Sequence, residues 1–402
     1  MGNSTTCVLF RILLLFYVLW GGYAWFTWEL ETDHSLELMV YAVGFVITLI
    51  YQFTNKVRLR PKRGVGMALV VLFFLYLYCG GFSGTGYITA PIHFVLRFYP
   101  ILVLLCDKDN VAGHLSFIAK AIAFILILSM VLYLVMQFLP IVPGLPINWE
   151  EASDSYFFIS YFILIRNIYY IDDFWRFSSI FLEPSYLATV CLFLLFANRF
   201  DFHLKENKIL GLALVFSTSL AGYIVGFIGY ILMRIVNRKS YAKLLILPFL
   251  FAMFYMIGVE YNEGDNLINR YIIERLQFDE EKGIVGNNRT GEQIDALFEK
   301  SISDGSIIWG IGQERLEKYA TTHGAGYKMA FLRNGIISVV LLFLFYWFVG
   351  VSGQNGYKKR FMMAFIMLYI VMFIPNAAFL SYMWLIPFIL GSASDVKKLP
   401  AK

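Results

Sequence analysis

Charged residues are scarce in this 402-residue chain: Asp, Glu, Lys and Arg make up 15% of it, against about 25% in a typical soluble domain. Hydrophobic residues make up 59%, and the mean hydropathy is +0.66. The apolar residues occur in runs of about 16–25 residues, the length that a helix needs to cross a bilayer. This composition excludes a soluble globular protein, a nucleic-acid binder and a disordered scaffold, and it predicts a polytopic membrane protein.

Cysteine is also rare, and no two cysteines have the spacing of a metal or redox motif. The four cysteines lie singly in or beside apolar segments: Cys7, Cys79, Cys106 and Cys191. They are therefore interpreted as small hydrophobic residues. A Walker A motif and a Gly-x-Gly-x-x-Gly after a strand are both missing. Any chemistry is expected on the outer side of the membrane, without a nucleotide, a metal or another cofactor.

The apolar runs predict an all-α polytopic protein with about twelve transmembrane helices, because every backbone N–H and C=O in hydrocarbon needs a partner within the segment. The first run lacks a basic leader and a cleavage site, which favours a retained helix over a signal peptide. The seventh and eighth spans are short, and one long kinked helix is the alternative. The predicted spans are 7–26, 35–54, 65–84, 87–106, 115–139, 184–200, 208–221, 222–236, 242–260, 328–350, 360–375 and 376–392.

The basic residues favour this count with both termini in the cytoplasm, since cytoplasmic loops carry an excess of Lys and Arg. One span fewer after residue 200 would place either the 234–243 or the 358–360 basic cluster outside. With about twelve spans, the cytoplasmic loops and tail hold the basic clusters at 56–63, 205–208, 234–243, 358–360 and 397–402.

Two segments on the predicted outer face are too long to be simple connections. Tyr156–Tyr170 is aromatic and too short to span, so we predict an interfacial or re-entrant helix there. Loop 261–327 is the large hydrophilic region, with short helices predicted around 266–277 and 290–303, and loops of this length are usually functional. The expected division is 1–139 (five helices), 140–183 (outer segment), 184–260 (helices 6–9), 261–327 (large outer loop) and 328–402 (three helices and a tail).

A first candidate cluster lies where the outer segment enters the sixth span. It contains Arg176 and the sequence Glu183-Pro184-Ser185. A proline in the first helical turn and an acidic residue before it are typical of a helix start, so a cap with a snorkelling arginine is one interpretation. The other is an arginine and a carboxylate at the membrane boundary, facing an amphiphilic substrate.

Two further clusters lie in or beside the large outer loop. Arg289 precedes the second predicted short helix, although a solvated loop arginine explains it equally well, and Asn288-Arg289-Thr290 is also a weak glycosylation sequon. His323 lies just before the tenth span. A lone histidine is usually structural or merely exposed, yet near neutral pH it is the side chain best suited to take a proton from a hydroxyl.

Arginines with a candidate base, and without a metal-ligand cluster, suit one kind of reaction. A hydroxyl attacks an activated carbon while a pyrophosphate departs, and guanidinium groups neutralise the charge of the leaving group. Arg97, near the middle of the fourth span, is a secondary candidate because a charge inside the membrane is costly and usually functional. Arg333, inside the tenth span, is another. Arg11 lies nearer a span end and is expected to snorkel.

These motifs resemble those of the O-antigen polymerase and O-antigen ligase group of bacterial envelope glycosyltransferases. The similarity covers the predicted topology and one large outer loop late in the chain. Ligases usually have His-Asn where this chain has His323-Gly324, which favours a polymerase. The motifs that carry the resemblance are Arg176 with Phe181-Leu182-Glu183-Pro184-Ser185, the turn Ser217-Thr218-Ser219, Asn288-Arg289-Thr290 with Gly310-Ile311-Gly312, and His323.

The resemblance implies a GT-C-like, metal-independent enzyme of the bacterial inner membrane. It would act at the periplasmic face on undecaprenyl-pyrophosphate-linked oligosaccharides as donor and acceptor, with a polysaccharide chain-length regulator as an expected partner. Arg176 and Arg289 would bind the donor pyrophosphate, and His323 would be the base, with Glu183 as its rival. The alternatives are a ligase that uses lipid A-core and a flippase or exporter, whose site would lie at the bilayer midplane among broken helices.

Overall fold

The computed structural model of the protein describes most of the chain, and within it the chain is mostly helical. The described residues are 5–59, 63–81, 86–107, 109–138, 143–151, 154–167, 175–238, 255–264, 266, 269, 273–274, 277–279, 283–284, 291–313, 315–316 and 326–393. Within these residues, four helices are long and apolar enough to cross a membrane: His34–Thr54, Thr89–Cys106, Val111–Met136 and Tyr327–Gly350. A helical membrane protein is therefore supported, and the count of twelve spans stays a prediction.

Each predicted span that falls on described residues overlaps a helix, although α1 ends at Gly21, before the predicted residue 26, and the last helix begins at Tyr382, after the predicted residue 376. The ninth, 242–260, lies mostly outside the described residues, and the helix predicted around 290–303 is confirmed as α10. The helices are α1 (Thr5–Gly21), α2 (Glu29–Thr32), α3 (His34–Thr54), α4 (Arg63–Tyr76, followed by a π-helical turn Leu77–Gly81), α5 (Gly86–Cys106), α6 (Val111–Phe138), α7 (Pro184–Ala197), α8 (Lys205–Phe216), α9 (Leu220–Val236), α10 (Glu292–Ser303), α11 (Tyr327–Gly350), α12 (Gly356–Phe373) and α13 (Tyr382–Ala393).

The turn Ser217-Thr218-Ser219 separates α8 from α9. The Ser217 hydroxyl donates to the carbonyl oxygen of Leu214 at 2.7 Å, where α8 ends. The Ser219 hydroxyl oxygen accepts from the amide of Gly222 at 3.3 Å and so caps α9. Thr218 between them has a φ of +46°, which a continuous helix does not contain. The turn therefore separates two helices, and the prediction that they form two separate spans stays a prediction.

A small antiparallel sheet takes the place of the interfacial helix predicted for Tyr156–Tyr170, so that prediction is wrong for the described part of the segment. Along the second strand, Phe158 and Ser160 are buried while Phe157 is exposed. This period of two belongs to a strand, and the prediction weighed aromatic content instead. The strands are β1 (Leu145–Glu151), β2 (Asp154–Ser160) and β3 (Ile165–Asn167), with a separate short pair, β4 (Phe278–Asp279) and β5 (Gly283–Ile284).

The centre of the helix bundle is formed by α7 and α13, which are buried on almost all sides. Every residue of α7 from Leu187 to Ala197 is buried, as expected for a helix that is apolar all round. The ring of Trp384 on α13 lies 4.9 Å from the ring of Phe193 and 4.2 Å from that of Tyr369 on α12. This packing fixes α7, and with it the segment that enters α7 at Glu183.

A buried polar cluster joins α1, α3 and α6 where α5 ends. Asp107 is 3% exposed and His114 is 0% exposed. His114 Nε2 lies 3.1 Å from Asp107 Oδ2, and the Tyr51 hydroxyl donates to the same oxygen. Arg11 Nε donates to His114 Nδ1 at 3.4 Å, and the expectation that Arg11 snorkels stays a prediction. Burial alone would raise the pKa of Asp107, but the hydrogen bonds from His114 and Tyr51 outweigh it and lower that pKa below its usual value.

Replacing Asp107 with asparagine is expected to lower the free energy of unfolding by about 3 kcal/mol, since the buried side chains of His114 and Tyr51 lose the charged acceptor that they share. Asp109→Asn is the matched control. Asp109 lies in the same connection between α5 and α6 but is exposed, and its substitution removes the same charge. That control should change stability by less than about 0.5 kcal/mol. Thermal unfolding of the two variants in one detergent checks this, and equal midpoints would contradict a stabilising role for the cluster.

Candidate functional site

The segment that carries Arg176 is anchored to the bundle on both sides. The Tyr133 hydroxyl of α6 donates to the carbonyl oxygen of Trp175 at 2.7 Å. Further along, Ala24 forms an antiparallel bridge with Phe181, so the chain after α1 pairs with the segment just before α7. The main chain on either side of Arg176 is therefore held in place.

Arg176 contacts the turn between α8 and α9. Its Nε donates to the Thr218 hydroxyl at 3.3 Å, and its Nη2 donates to the Thr218 carbonyl oxygen at 3.1 Å. The two residues are 42 positions apart in sequence, yet both belong to motifs singled out above. These contacts orient a half-buried guanidinium, the group whose planar fork matches phosphate and carboxylate oxygens.

Glu183 is the N-cap residue of α7, with Pro184 in the first turn, as the sequence predicts. Its carboxylate makes no hydrogen bond to a backbone amide of the helix. Instead, the Ser185 hydroxyl donates to Glu183 Oε2 at 2.8 Å, and the Glu183 side chain is exposed. The residue thus occupies the position of a cap while its carboxylate stays accessible at the start of α7.

The Gly-x-Gly segment of the large loop packs against a break in α11. The break is at Gly335, which has a φ of +70°. The amides of Ile311 and Gly312 donate to the carbonyl oxygens of Leu332 at 2.7 Å and Arg333 at 3.2 Å. Carbonyl groups beside a helix break are costly in hydrocarbon unless something donates to them. The loop segment supplies those donors and so stabilises the break.

Arg333 is exposed beside this break, and the neighbouring contacts attach the described part of the loop to the bundle. The Tyr78 hydroxyl donates to the carbonyl oxygen of Trp309 at 2.7 Å. Lys328 on α11 forms an ion pair with Asp295 on α10, with Nζ 2.7 Å from Oδ1. The loop therefore folds onto α11 and the end of α4.

Arg97 on α5 is surrounded by aromatic rings. Its guanidinium carbon lies 5.6 Å from the ring centre of Tyr41, 5.4 Å from that of Phe98 and 5.9 Å from that of Tyr382. Such cation–π contacts offset part of the cost of placing the charge inside the bundle. Among the described residues, Arg97 Nε is buried and has no hydrogen-bond partner, which leaves a donor available for an anion.

The structure shows the contacts of some of the predicted site residues, and two other predicted site residues remain untested. His323 and Arg289 lie outside the described residues, so their relation to Arg176 stays a prediction. The contact between Arg176 and Thr218 was not predicted, although the turn that contains Thr218 was already singled out. The approach of Tyr382 to α5 has no sequence signal, because α13 and α5 meet only in the folded bundle.

The fold and these contacts define a mostly helical protein with several apolar helices, in which arginines lie beside helix breaks and inside the bundle. Comparison with known proteins finds no match: no protein-family model, no curated protein and no solved structure matches this chain.

Proposed function

We propose that the protein is an O-antigen polymerase-type glycosyltransferase. It would transfer a growing glycan from undecaprenyl pyrophosphate to the terminal sugar of a lipid-linked repeat unit, at the periplasmic face of the inner membrane. The observation that carries the proposal is the contact of Arg176 with Thr218. It joins two of the motifs on which the resemblance depends, and it positions a guanidinium where the outer segment enters the bundle.

In the proposed reaction, an acceptor hydroxyl attacks the anomeric carbon of the donor sugar. A new glycosidic bond forms, the bond to the pyrophosphate oxygen breaks, and the hydroxyl proton passes to a base. The leaving undecaprenyl pyrophosphate gains negative charge, which preorganised cations stabilise best. Arg176 and Arg289 are assigned to that charge. His323 is assigned as the base, and the exposed Glu183 carboxylate is the rival base.

Two further arginines support a cationic path for a pyrophosphate. Arg333 is exposed beside the break in α11, and Arg97 has a buried donor without a hydrogen-bond partner among the described residues. Arginine can bind phosphate oxygens in pairs and keeps its charge at any physiological pH. The proposal therefore assigns to arginines the charge neutralisation that a divalent ion supplies in other phosphate-transfer sites.

A second candidate function is a flippase or exporter for the same lipid-linked sugars. One observation favours it: α11 is interrupted at Gly335, and a charged side chain, Arg97, lies within a helix of the bundle. Transporters often hold substrates at discontinuous helices near the bilayer midplane. The polymerase is preferred because Arg176 and Glu183 lie in the segment that enters α7, outside the helices.

The direct test uses the purified protein in detergent, a synthetic lipid-pyrophosphate repeat unit and EDTA, with products separated on a gel. We expect a ladder of polymer lengths in the presence of EDTA, and its loss in Arg176→Ala and Arg289→Ala. Absence of a ladder with correctly folded protein and the cognate repeat would contradict the polymerase. Product formed only after lipid A-core is added would indicate a ligase. Movement of a labelled lipid-linked sugar across proteoliposomes without any product would indicate the transporter.

A further inference from the structure

The end of α1 and the start of α7 lie against each other beside the candidate site. The Leu182 amide, just before α7, donates to the carbonyl oxygen of Tyr23, just after α1, at 3.0 Å. Gly22 approaches this segment so closely that an added Cβ would lie 2.7 Å from the ring of Phe181. The residues that follow α1 and the residues that precede α7 are therefore fixed relative to each other.

Two tyrosine rings, which we call the tyrosine pair, meet at this junction. The ring of Tyr23 lies 4.8 Å from the ring of Tyr186 in the first turn of α7, with 40° between the ring planes. Both residues are half-buried, so part of each is accessible. Tyr23 has a left-handed φ of +56°, and its carbonyl oxygen accepts from both the Leu182 amide and Trp28 Nε1 at 3.0 Å. These bonds fix the main chain that carries the Tyr23 ring.

The carboxylate of Glu183 belongs to the same junction. The Tyr186 amide donates to the Glu183 carbonyl oxygen at 3.1 Å. The side chain of an N-cap residue and the side chain three positions later are neighbours at a helix start. The Ser185 hydroxyl holds Glu183 Oε2 at 2.8 Å, and among the described residues no donor is bound to Oε1. Because Glu183 is exposed, this second oxygen is accessible to a ligand beside the tyrosine pair.

The start of α7 lies next to the start of α9, where Arg176 contacts Thr218. An added Cβ on Gly222, in the first turn of α9, would lie 2.6 Å from the Cβ of Ala188, in the second turn of α7. Each of these two residues is within about 8 Å, along its own helix, of the residue that precedes the helix. The two helix starts are therefore adjacent, with Glu183 at one and the contact of Arg176 at the other.

A pair of aromatic rings beside an accessible carboxylate is suited to a sugar. A pyranose ring has a face of C–H groups, which packs on an aromatic ring, and hydroxyls at its edge, which donate to a carboxylate. Tyrosine keeps its own hydroxyl in water while its ring is covered. Tyrosines are also common at a membrane–water interface without any ligand. An interfacial role of the rings would not depend on Glu183, whereas a sugar site would.

We propose that the tyrosine pair and Glu183 bind the acceptor sugar, which is the terminal sugar of the lipid-linked repeat unit. This inference rests on the proposed function, in which Arg176 binds the pyrophosphate of the donor. The acceptor sugar would stack on the rings of Tyr23 and Tyr186 and donate hydroxyl hydrogen bonds to Glu183 Oε1. It would then lie at the helix start next to the one where the leaving group is held. Glu183 would keep this binding role whichever residue is the base.

The first test measures sugar binding without transfer. The probe is the repeat-unit oligosaccharide, released from its lipid by mild acid and titrated calorimetrically into the purified full chain in detergent. Tyr23→Leu, Tyr186→Leu and Glu183→Gln should each weaken binding at least about fivefold, the effect of losing one aromatic contact or one charged hydrogen bond. Tyr23→Phe and Tyr186→Phe keep the rings and should weaken binding less than the leucine variants do. Thermal unfolding identifies the folded variants, and Glu183→Gln keeps the size of the side chain if a leucine variant does not fold.

Phe26→Leu is the matched control, because it removes an exposed ring from the same connection after α1. Its sugar binding should stay within about twofold of that of the parent protein. Equal losses in Phe26→Leu and the tyrosine variants would overturn the proposal, since any exposed ring would then have the same effect. Unchanged binding in Glu183→Gln, or no binding of the oligosaccharide to the parent protein, would also overturn it.

A transfer assay separates this proposal from the proposed function. With the lipid-pyrophosphate repeat as substrate, the tyrosine-to-leucine variants should raise KM about fivefold and keep kcat within about twofold of the parent value. A polymer ladder with unchanged KM in these variants would overturn the sugar site and leave the polymerase standing. Sugar binding that depends on the tyrosine pair, without any ladder, would support the sugar site and contradict the polymerase.

Discussion

Replacing Arg176 with alanine is expected to lower the rate of the proposed glycan transfer at least about 100-fold, the usual effect of removing one preorganised donor from a developing negative charge. The guanidinium is oriented by two contacts, with the hydroxyl and with the carbonyl oxygen of Thr218. Lysine at this position keeps the charge but has a single nitrogen, so it cannot make both contacts and also bind oxygens in the plane of a fork. Arg176→Lys should therefore recover only a small part of the lost rate.

Arg166→Gln is the control for this experiment. Arg166 is the nearest described arginine upstream of Arg176, and its guanidinium carbon lies 5.6 Å from the ring centre of Trp175 rather than on the turn. The Arg166→Gln variant removes the same charge from the same segment. If net charge alone has little effect, the transfer rate of this variant should stay within about threefold of the rate of the parent protein. Initial rates of polymer formation with a lipid-pyrophosphate repeat measure all three variants. Equal losses in Arg166→Gln and Arg176→Ala would contradict a specific role for Arg176.

Replacing Gly335 with alanine is expected to lower the free energy of unfolding by more than about 3 kcal/mol, which combines backbone strain with overpacking. The residue has a φ of +70°, and an added Cβ would lie 2.6 Å from the amide nitrogen of Gly310 and 2.5 Å from the carbonyl oxygen of Ile308. Both neighbours are main-chain atoms, so no side chain can rotate out of the way. The loop segment would have to leave the helix, and its hydrogen bonds to α11 would be lost.

Gly353→Ala separates strain from collision. Gly353 has a φ of +71°, and no atom lies within 4 Å of an added Cβ, so only the left-handed backbone is penalised, at about 1–2 kcal/mol. Thermal unfolding in detergent and the yield of monodisperse protein measure the two variants. We expect Gly335→Ala to lower both the unfolding temperature and the yield of monodisperse protein substantially more than Gly353→Ala does. Similar losses would show that the close approach of Gly310 to Gly335 contributes little to stability.

Much of the helical architecture could be predicted from the sequence, because hydropathy and run length are local properties. The limits of α3, α5 and α11 agree with the predicted spans to within a few residues. The sheet was missed although β1 and β2 are only two residues apart, because the two residues between them, Ala152 and Ser153, carry none of the sequence signals of a hairpin turn. Aromatic residues suit both a membrane interface and a strand. The strand is recognised by the alternation in burial between Phe157, which is exposed, and Phe158, which is buried, and two identical residues do not reveal that alternation in the sequence.

The candidate site was predicted in part. The charge of Arg97 was visible in sequence, but the rings that surround it come from helices far away in the chain. Likewise, neither Gly310 nor Gly335 is unusual alone, and their importance arises only when a loop and a helix are placed in contact. Residue types can be predicted to matter one at a time, whereas the interactions between distant segments depend on how the bundle packs.

The contact between the Gly-x-Gly segment and the interrupted helix has a mechanical consequence. The amides of Ile311 and Gly312 donate hydrogen bonds to two carbonyl oxygens of α11. If this segment moved away, those carbonyl oxygens would lose their donors in an apolar environment, unless the helix became continuous across the break. A substrate that displaces the segment at the surface would therefore also change the shape of a helix below it. Movement of the surface segment and a change in the shape of α11 at Gly335 are therefore coupled.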